Sequence, residues 1–293
     1  MYTGKIPKDV VATFSIVGYD SETEELGIAV QSKFIGVGSV VPWAKAGVGA
    51  VATQSYANTS YGPAGLGYME SGKTAEETIK LLTEADSERE LRQVGIVDAT
   101  GKAATFTGKA CYDWAGGCTG RHYAAQGNIL VGEETVNAMG KTFEETHGTL
   151  SERLLQALDA GQQAGGDSRG KQSAALLIVK EEGGYGGFND RAIDLRVDDH
   201  PEPIKELIRI YDLHQLYFAP SKQENIVEIK GNVYEELVKE LERLNLLERT
   251  PIHTEEAVTD ALRVFVHREN FEEREQKRGW IDLDILTYMK NFN

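Results

Sequence analysis

Strand-like and helix-like segments in this chain come in blocks, and that order limits the folds open to it. Residues 13–17 and 26–30 read as two short strands joined by the polar YDSETEE, and 48–55 (VGAVATQS) alternates small and β-branched residues like a tightly packed strand. Helical signals follow: a segment over 61–70, then the capping box Thr74-x-x-Glu77 with Ile79 and Leu82 on one helical face. QVGIVDA and KAATFTG next flank a turn at 99–101. Two more helices are expected at 133–146 and 151–164, the second announced by Thr149-x-x-Glu152, and strands resume at 173–180 and 192–197 around a glycine-rich hairpin. Strands, helices, strands, helices, strands is not the strict alternation of a parallel βαβ sheet. It favours antiparallel layers covered by helices.

The glycine-rich GGYGGF reads as a turn, since it lacks the following helix, lysine and hydroxyl of a phosphate loop. The segment DDHPEP at 198–203 reads as a boundary, because two prolines and acidic residues separate the last strand from helical periodicity. Apolar residues then recur at helical spacing, as Ile204, Leu207, Ile208 and Tyr211, as Val233, Leu237, Leu241 and Leu244, and as Val258, Ala261, Leu262 and Phe265. Thr254 and Asp282 are expected N-caps, and IVEIK is the strand-like stretch of this region. The expected organisation is an extension over 1–12, an α+β domain over 13–202 and a small mainly helical domain over 203–293.

Acidic side chains number 46 against 31 basic ones, a net charge of −15 that repels phosphate backbones and anionic lipid. Nucleic acid and membrane are therefore not expected partners. The opening MYTGKIPKDVV has no continuous apolar core and no segment approaches the roughly twenty apolar residues of a membrane span, so the expected location is cytoplasmic. Cys111 and Cys118 are too few for a disulfide scaffold and read as reduced thiols. His122, His147, His200, His214, His253 and His267 are scattered without metal-ligand spacing, so neither metal nor cofactor is expected.

Four groups of polar residues sit in apolar or glycine-rich strand-end contexts, where burial is costly unless it serves binding or structure. They are Gln31 with Ser32, Gln54 through Asn58, Gln126 with Asn128, and GGDSRGKQSAA with Asp167, Arg169 and Gln172. These residues are expected to converge on one cleft at a sheet end. The alternative for the last group is that Asp167 and Arg169 pair to fix a loop while Gln172 ties down backbone.

The string TFSIVGYDSETEELGIAVQSKFIGVGSVVPWAKAGVGAVATQS, followed by CYDWAG, AAQGNIL and GGDSRGKQSAALL, resembles a prokaryotic domain-of-unknown-function family, number 1028, classed with the Ntn hydrolases. The match runs over about residues 12–212 in consistent order. It implies a four-layer αββα sandwich, in agreement with the block order. Family members often continue into a region likened to peptidoglycan-binding domains, and 213–293 resemble that extension, whose partner is unknown.

In Ntn hydrolases the first residue of the mature chain is Thr, Ser or Cys, and its own α-amine is the base for its side chain. By this resemblance Thr13 takes that position, with an amine pKa of about 8 near working pH. Residues 1–12 precede it, so its nitrogen is an amide until the chain is cut after Ala12. The plainer alternative makes Thr13 the first residue of an edge strand. A lysine assists the nucleophile in proteasome-like relatives; Lys33 and Lys45 are candidates, and Lys45 has the more similar spacing. Arg121 and Arg169 suit a substrate carboxylate, since guanidinium binds it bidentately. Asn58 is a candidate oxyanion donor, and Tyr61 and Trp114 candidate pocket walls. Three functions follow: an amidohydrolase of small polar amides or short peptides, a non-catalytic binder of a small anionic or amino-acid-like ligand, or an adaptor acting through its helical domain. Antiparallel sheet edges also lead to the expectation of a homo-oligomer.

Overall fold

A computed structural model describes residues 13–292. The expected extension over 1–12 lies outside the described residues. Contacts divide the chain into two compact units, with the division between Arg209 and Ile210.

The first unit is mixed α and β. Its elements are β1 (Thr13–Tyr19), β2 (Leu26–Ser32), β3 (Pro42–Lys45), β4 (Gly49–Ser55), α1 (Tyr61–Glu70), α2 (Ala75–Glu84), β5 (Arg92–Asp98), β6 (Ala103–Thr107), β7 (Gly116–Gly120), β8 (Tyr123–Asn128), α3 (Glu134–Glu145), α4 (Leu150–Gln163), β9 (Ser173–Val179) and β10 (Arg191–Val197). They build a six-stranded sheet in the order β10-β9-β2-β1-β8-β7 and a four-stranded sheet in the order β3-β4-β5-β6. Neighbouring strands are antiparallel in both.

The two sheets face each other, β1 and β8 lying against β4 and β5. Val17, Leu26, Ile28, Ala50, Ala52, Val97, Ala124 and Leu177 fill the space between them. Helices α3 and α4 cover the outer face of the larger sheet, where Phe14, Met139, Phe143, Leu154 and Leu158 are buried. Helices α1 and α2 cover the outer face of the smaller one over Val51, Ile79, Leu82, Val94 and Ile96. Both expected capping boxes form. Thr74 accepts from Glu77 N and Thr149 from Glu152 N, and each glutamate returns the bond to the cap nitrogen. Each cap satisfies backbone donors that the first helical turn would otherwise leave open, worth about 1 kcal/mol.

Strands β3, β7 and β8 were not legible from the sequence pattern. GGCTG and YAAQGN are poor in β-branched residues, yet β8 is buried along its whole length beside β1, where small residues fit the closely packed sheet.

The second unit follows its helical periodicity with one addition. It contains the C-terminal part of α5 (Pro203–Phe218), with β11 (Ile226–Glu228), α6 (Asn232–Arg243), α7 (Glu255–Arg268), β12 (Trp280–Asp282) and α8 (Leu283–Asn291). Leu237, Leu241, Val258, Phe265, Phe271, Ile285 and Met289 form its core. IVEIK supplies β11, which pairs with β12. Thr254 and Asp282 cap α7 and α8 as expected. The buried Arg274 donates to Asp282 at 2.7 Å and to the carbonyls of Gln215 and Leu216, which fastens the last turn of α5 to β12. Among the described residues no helix is long and apolar enough to cross a membrane.

Candidate active site

Thr13 opens β1, and β1 lies between β2 and β8, so the residue is in mid-sheet and not on an edge. In register Thr13 faces Asn128 on one side and Ser32 on the other, and Ser32 faces Ser173. Directly paired residues share a face. Asn128, Thr13, Ser32 and Ser173 thus form one polar row across four strands at their ends, and all four are fully buried. Thr13 Oγ1 donates to Ser32 Oγ at 3.1 Å. Ser173 Oγ accepts from Val37 N at 3.2 Å and donates to the Phe34 carbonyl, securing the loop after β2. The next row on this face is Gln126, Ser15, Val30 and Ala175, and the one after it, Ala124, Val17, Ile28 and Leu177, is apolar. Polarity is concentrated at the Thr13 end.

The smaller sheet answers with Gln54 and Gln93, paired in register, and with Thr107 beside Gln93. Gln54 Nε2 donates to Gln93 Oε1 at 2.8 Å and to the Thr13 carbonyl at 3.3 Å, while Ser15 Oγ donates to Gln54 Oε1 at 2.6 Å. Asn128 Nδ2 donates to Gln93 Oε1 at 2.9 Å, and Gln93 Nε2 reaches the Gly127 carbonyl and Thr107 Oγ1. Gln126 Nε2 donates to Ser15 Oγ at 2.7 Å. A side chain at Gly95 is excluded, because its Cβ would come 1.9 Å from Gln126 Oε1. Although Gln126 Oε1 and Asn128 Oδ1 have no hydrogen-bond partner among the described residues, these bonds offset much of a burial cost that would otherwise be several kcal/mol. They also hold the backbone of Thr13 in place. Just beyond the network, Ser55 and Ile129 adopt left-handed backbone with φ of 69° and 54°.

Residues 13–207 match the model of the family of unknown function DUF1028. The chain belongs to that family. Residues 217–289 match a model described as "Putative peptidoglycan binding domain". A crystal structure of a Silicibacter pomeroyi protein with the same DUF1028 model is similar at 30% identity and a TM-score of 0.64, over 76% of this chain and 92% of that one. The Anbu (ancestral beta-subunit) protein of Yersinia bercovieri is similar at 10% identity and a TM-score of 0.34, over 69% and 94% of the two chains. No curated protein matches in sequence.

Other sequence-derived candidates in this DUF1028 domain have different places. Gln31 pairs with Phe14, on the face covered by α4, so it turns away from the Thr13 row; neither its amide nitrogen nor its amide oxygen has a hydrogen-bond partner. Lys45 is paired with Gly49, and Gly49 and Ser55 are the two ends of β4, about 20 Å apart at the rise of a strand. Its ammonium bonds Glu70 at 2.5 Å, far from Thr13. Arg121 lies in the turn from β7 to β8, at the end of β8 opposite Asn128, and is exposed. The spacing argument misjudged Lys45 because a short hairpin, β3 to β4, carries the chain away from the row.

Asn58 and Tyr61 join a different cluster. Asp86 accepts from Asn58 Nδ2 at 3.2 Å, Tyr61 OH at 3.0 Å and Arg92 Nε at 2.9 Å. Burial alone would raise the Asp86 pKa; the Arg92 bond, the Glu88 N–H, Asn58 and Tyr61 outweigh it and hold the carboxyl at about 2. The Tyr61 phenol is pushed up by burial and by Asp86. One N–H of the Asn58 amide is held by Asp86 and its Oδ1 accepts from Ser60 N and Oγ, so this side chain serves the loop before α1.

Asp167 is buried beside the row's end. It accepts from Lys33 N at 3.1 Å and from Arg169 N and Nη2 at 2.9 Å, the loop-fixing pair weighed as an alternative. Gln172 donates its backbone N–H to Ser32 O and its side chain to Asp199. Lys33 Nζ donates to the Lys171 carbonyl. Trp114 exchanges backbone bonds with Leu130. Cys111 and Cys118 are free thiols with pKa values raised by burial. Sequence reasoning missed Ser15, Gln93 and Thr107. Ser15 carried a signal, as a polar residue between Phe14 and Ile16 in TFSIVGY, whereas Gln93 and Thr107 lie towards the ends of RQVGIVD and AATFT, strands that hold other polar residues.

Proposed function

We propose that the DUF1028 domain is an Ntn-hydrolase-type αββα sandwich that cleaves amides or short peptides, with Thr13 as nucleophile once its α-amine is free. The observation that carries the reading is the central position of Thr13 at the head of β1, with its hydroxyl on Ser32 and its carbonyl held by Gln54. The helix, sheet, sheet, helix order of packing supports the fold part of it. In the proposed step Thr13 Oγ1 attacks the amide carbon and its proton passes to the α-amine of the same residue. The resulting ammonium then protonates the departing amine. Water hydrolyses the Thr13 ester by the reverse proton path. The residues of the row and the amide network have no titrating group near neutral pH, so the base role falls to the amine and needs no lysine. Backbone N–H groups at the strand ends take the oxyanion role in place of Asn58.

A second reading, a non-catalytic protein on the same fold, is favoured by one observation: Thr13 is fully buried and its surroundings are hydrogen-bonded to each other. Turnover separates the two. A chain beginning at Thr13 is expected to hydrolyse fluorogenic peptide amides that the full-length chain leaves intact, and Thr13→Ala in the short chain to abolish it. Equal rates for the two lengths, or activity that survives Thr13→Ala, would remove the amine from the mechanism.

A further inference from the structure

Hydrogen-bond directions in the amide network are fixed by groups that cannot turn around. The Gly127 and Gly116 carbonyls can only accept, so Gln93 must offer them Nε2, at 2.8 Å and 3.3 Å, and its Oε1 is left to accept. The Thr13 carbonyl likewise requires Nε2 of Gln54, which also donates to Gln93 Oε1. Asn128 must therefore turn Nδ2 to Gln93 Oε1, at 2.9 Å, and its own Oδ1 is left for some other donor. That oxygen is buried and has no hydrogen-bond partner. Flipping the amide would set oxygen against oxygen at Gln93, so the open acceptor is imposed by the fold. Gln126 Oε1 is open as well, but it is packed onto Gly95, whose Cβ would come 1.9 Å from it, and it sits one row deeper in the sheet, beside Ser15.

An unpaired buried carbonyl is costly, so one that the fold imposes points to a donor that arrives later. Its place in the sheet says which. Asn128 is the cross-strand neighbour of Thr13 on β8, as Ser32 is on β2, and directly opposed residues have Cβ atoms about 5 Å apart. Thr13 carries two groups that the proposed chemistry must orient, its hydroxyl and its nitrogen. The hydroxyl is taken on the β2 side by Ser32 at 3.1 Å. On the β8 side stands the open oxygen. As an amide the nitrogen has a single N–H; freed and protonated, it becomes an ammonium with three donors inside a buried polar row. Ser173 Oγ already serves the loop after β2, and Asn128 Oδ1 is the row's unpartnered side-chain oxygen among the described residues.

We propose that Asn128 is a positioning residue for the α-amine of Thr13. Its Oδ1 accepts one N–H of the freed amine and fixes rotation about the Cα–N bond, so that the nitrogen lone pair is turned towards Oγ1. The inference rests on the reading that Thr13 works through a free amine, yet its test needs no turnover. A carbonyl oxygen binds an ammonium more strongly than a neutral amine, so the contact raises the amine pKa. In a chain beginning at Thr13 and carrying isotope-labelled threonine, the α-amine nitrogen titrates apart from the backbone amides and its pKa is read by NMR. Asn128→Ala and Asn128→Leu, which leave the space open or filled, are both expected to lower it by about one unit. Thr107→Val, which trims the same network away from Thr13, is expected to leave it in place. The charged groups at this end are Lys33, bonded to the Lys171 carbonyl, Asp167 with Arg169, and Arg92 with Asp86; all are common to these chains and cancel from the shift. An unmoved pKa in either Asn128 variant, or an equal fall with Thr107→Val, would overturn the positioning role. If the pKa falls as expected in a chain that cleaves no amide, Asn128 stands and the nucleophile falls. If the chain cleaves amides and the pKa is unmoved, the nucleophile stands and Asn128 falls.

Discussion

Buried amides on the two faces of β1 and β2 lead to opposite expectations. Gln93 Oε1 accepts from both Gln54 and Asn128, so Gln93→Ala leaves two buried donors open and is expected to cost about 3 kcal/mol in chemical unfolding. Gln31, equally buried, has no bond to lose, and Gln31→Met is expected to stabilise by about 1 kcal/mol. A destabilised Gln31→Met protein would mean that its amide is bonded after all. Asp86 adds a pH signature. Its folded pKa of about 2 lies below the unfolded value near 3.9, so its stabilising contribution is complete above pH 4 and is lost as pH falls towards 2. The gap in unfolding free energy between the parent and Asp86→Asn should therefore shrink by roughly 2 kcal/mol between pH 6 and pH 2; a constant gap would contradict the Arg92 pairing. Of these residues, Gln54, Gln126 and Asn128 were legible as polar intruders in apolar strands. The opposite facing of Gln31 was not, since it depends on a one-residue alternation that clustering ignores.

At the level of elements, the capping boxes and the amphipathic helices were legible because both are local in sequence. Thr149→Ala should weaken the first unit by about 1 kcal/mol with an unchanged denaturant slope, since the cap closes the helix that covers β1 and β2. A loss well below that would mean that packing alone sets the start of α4. Strands β7 and β8 escaped notice for the converse reason. Their glycines and alanines carry no β signal of their own and are fitted to the strand by close packing, as Gly117 illustrates, whose Cβ would come 2.8 Å from Thr105 Oγ1 of β6, and Gly127, whose Cβ would come 2.4 Å from Leu130 Cδ1. The hairpin from β3 to β4 has the same lesson for the site: sequence spacing suggested Lys45 beside Thr13, when its register puts it at the far end of the small sheet.

For the whole molecule, the blocked order of strands and helices carried the fold class, and the family motifs carried membership over residues 13–207. Neither identifies a reacting group, because on the proposed mechanism Thr13 is idle while its nitrogen is an amide. On that reading the amine must be free for Thr13 to act. Mass spectrometry of a chain beginning at Thr13, treated with an acylating β-lactone and digested, reads this at the atom concerned. The acyl mass is expected on the peptide that starts with Thr13, absent from Thr13→Ala and from the full-length chain. Acylation elsewhere, at Ser32 or Cys111, or equal labelling of the full-length chain, would contradict Thr13 as an N-terminal nucleophile.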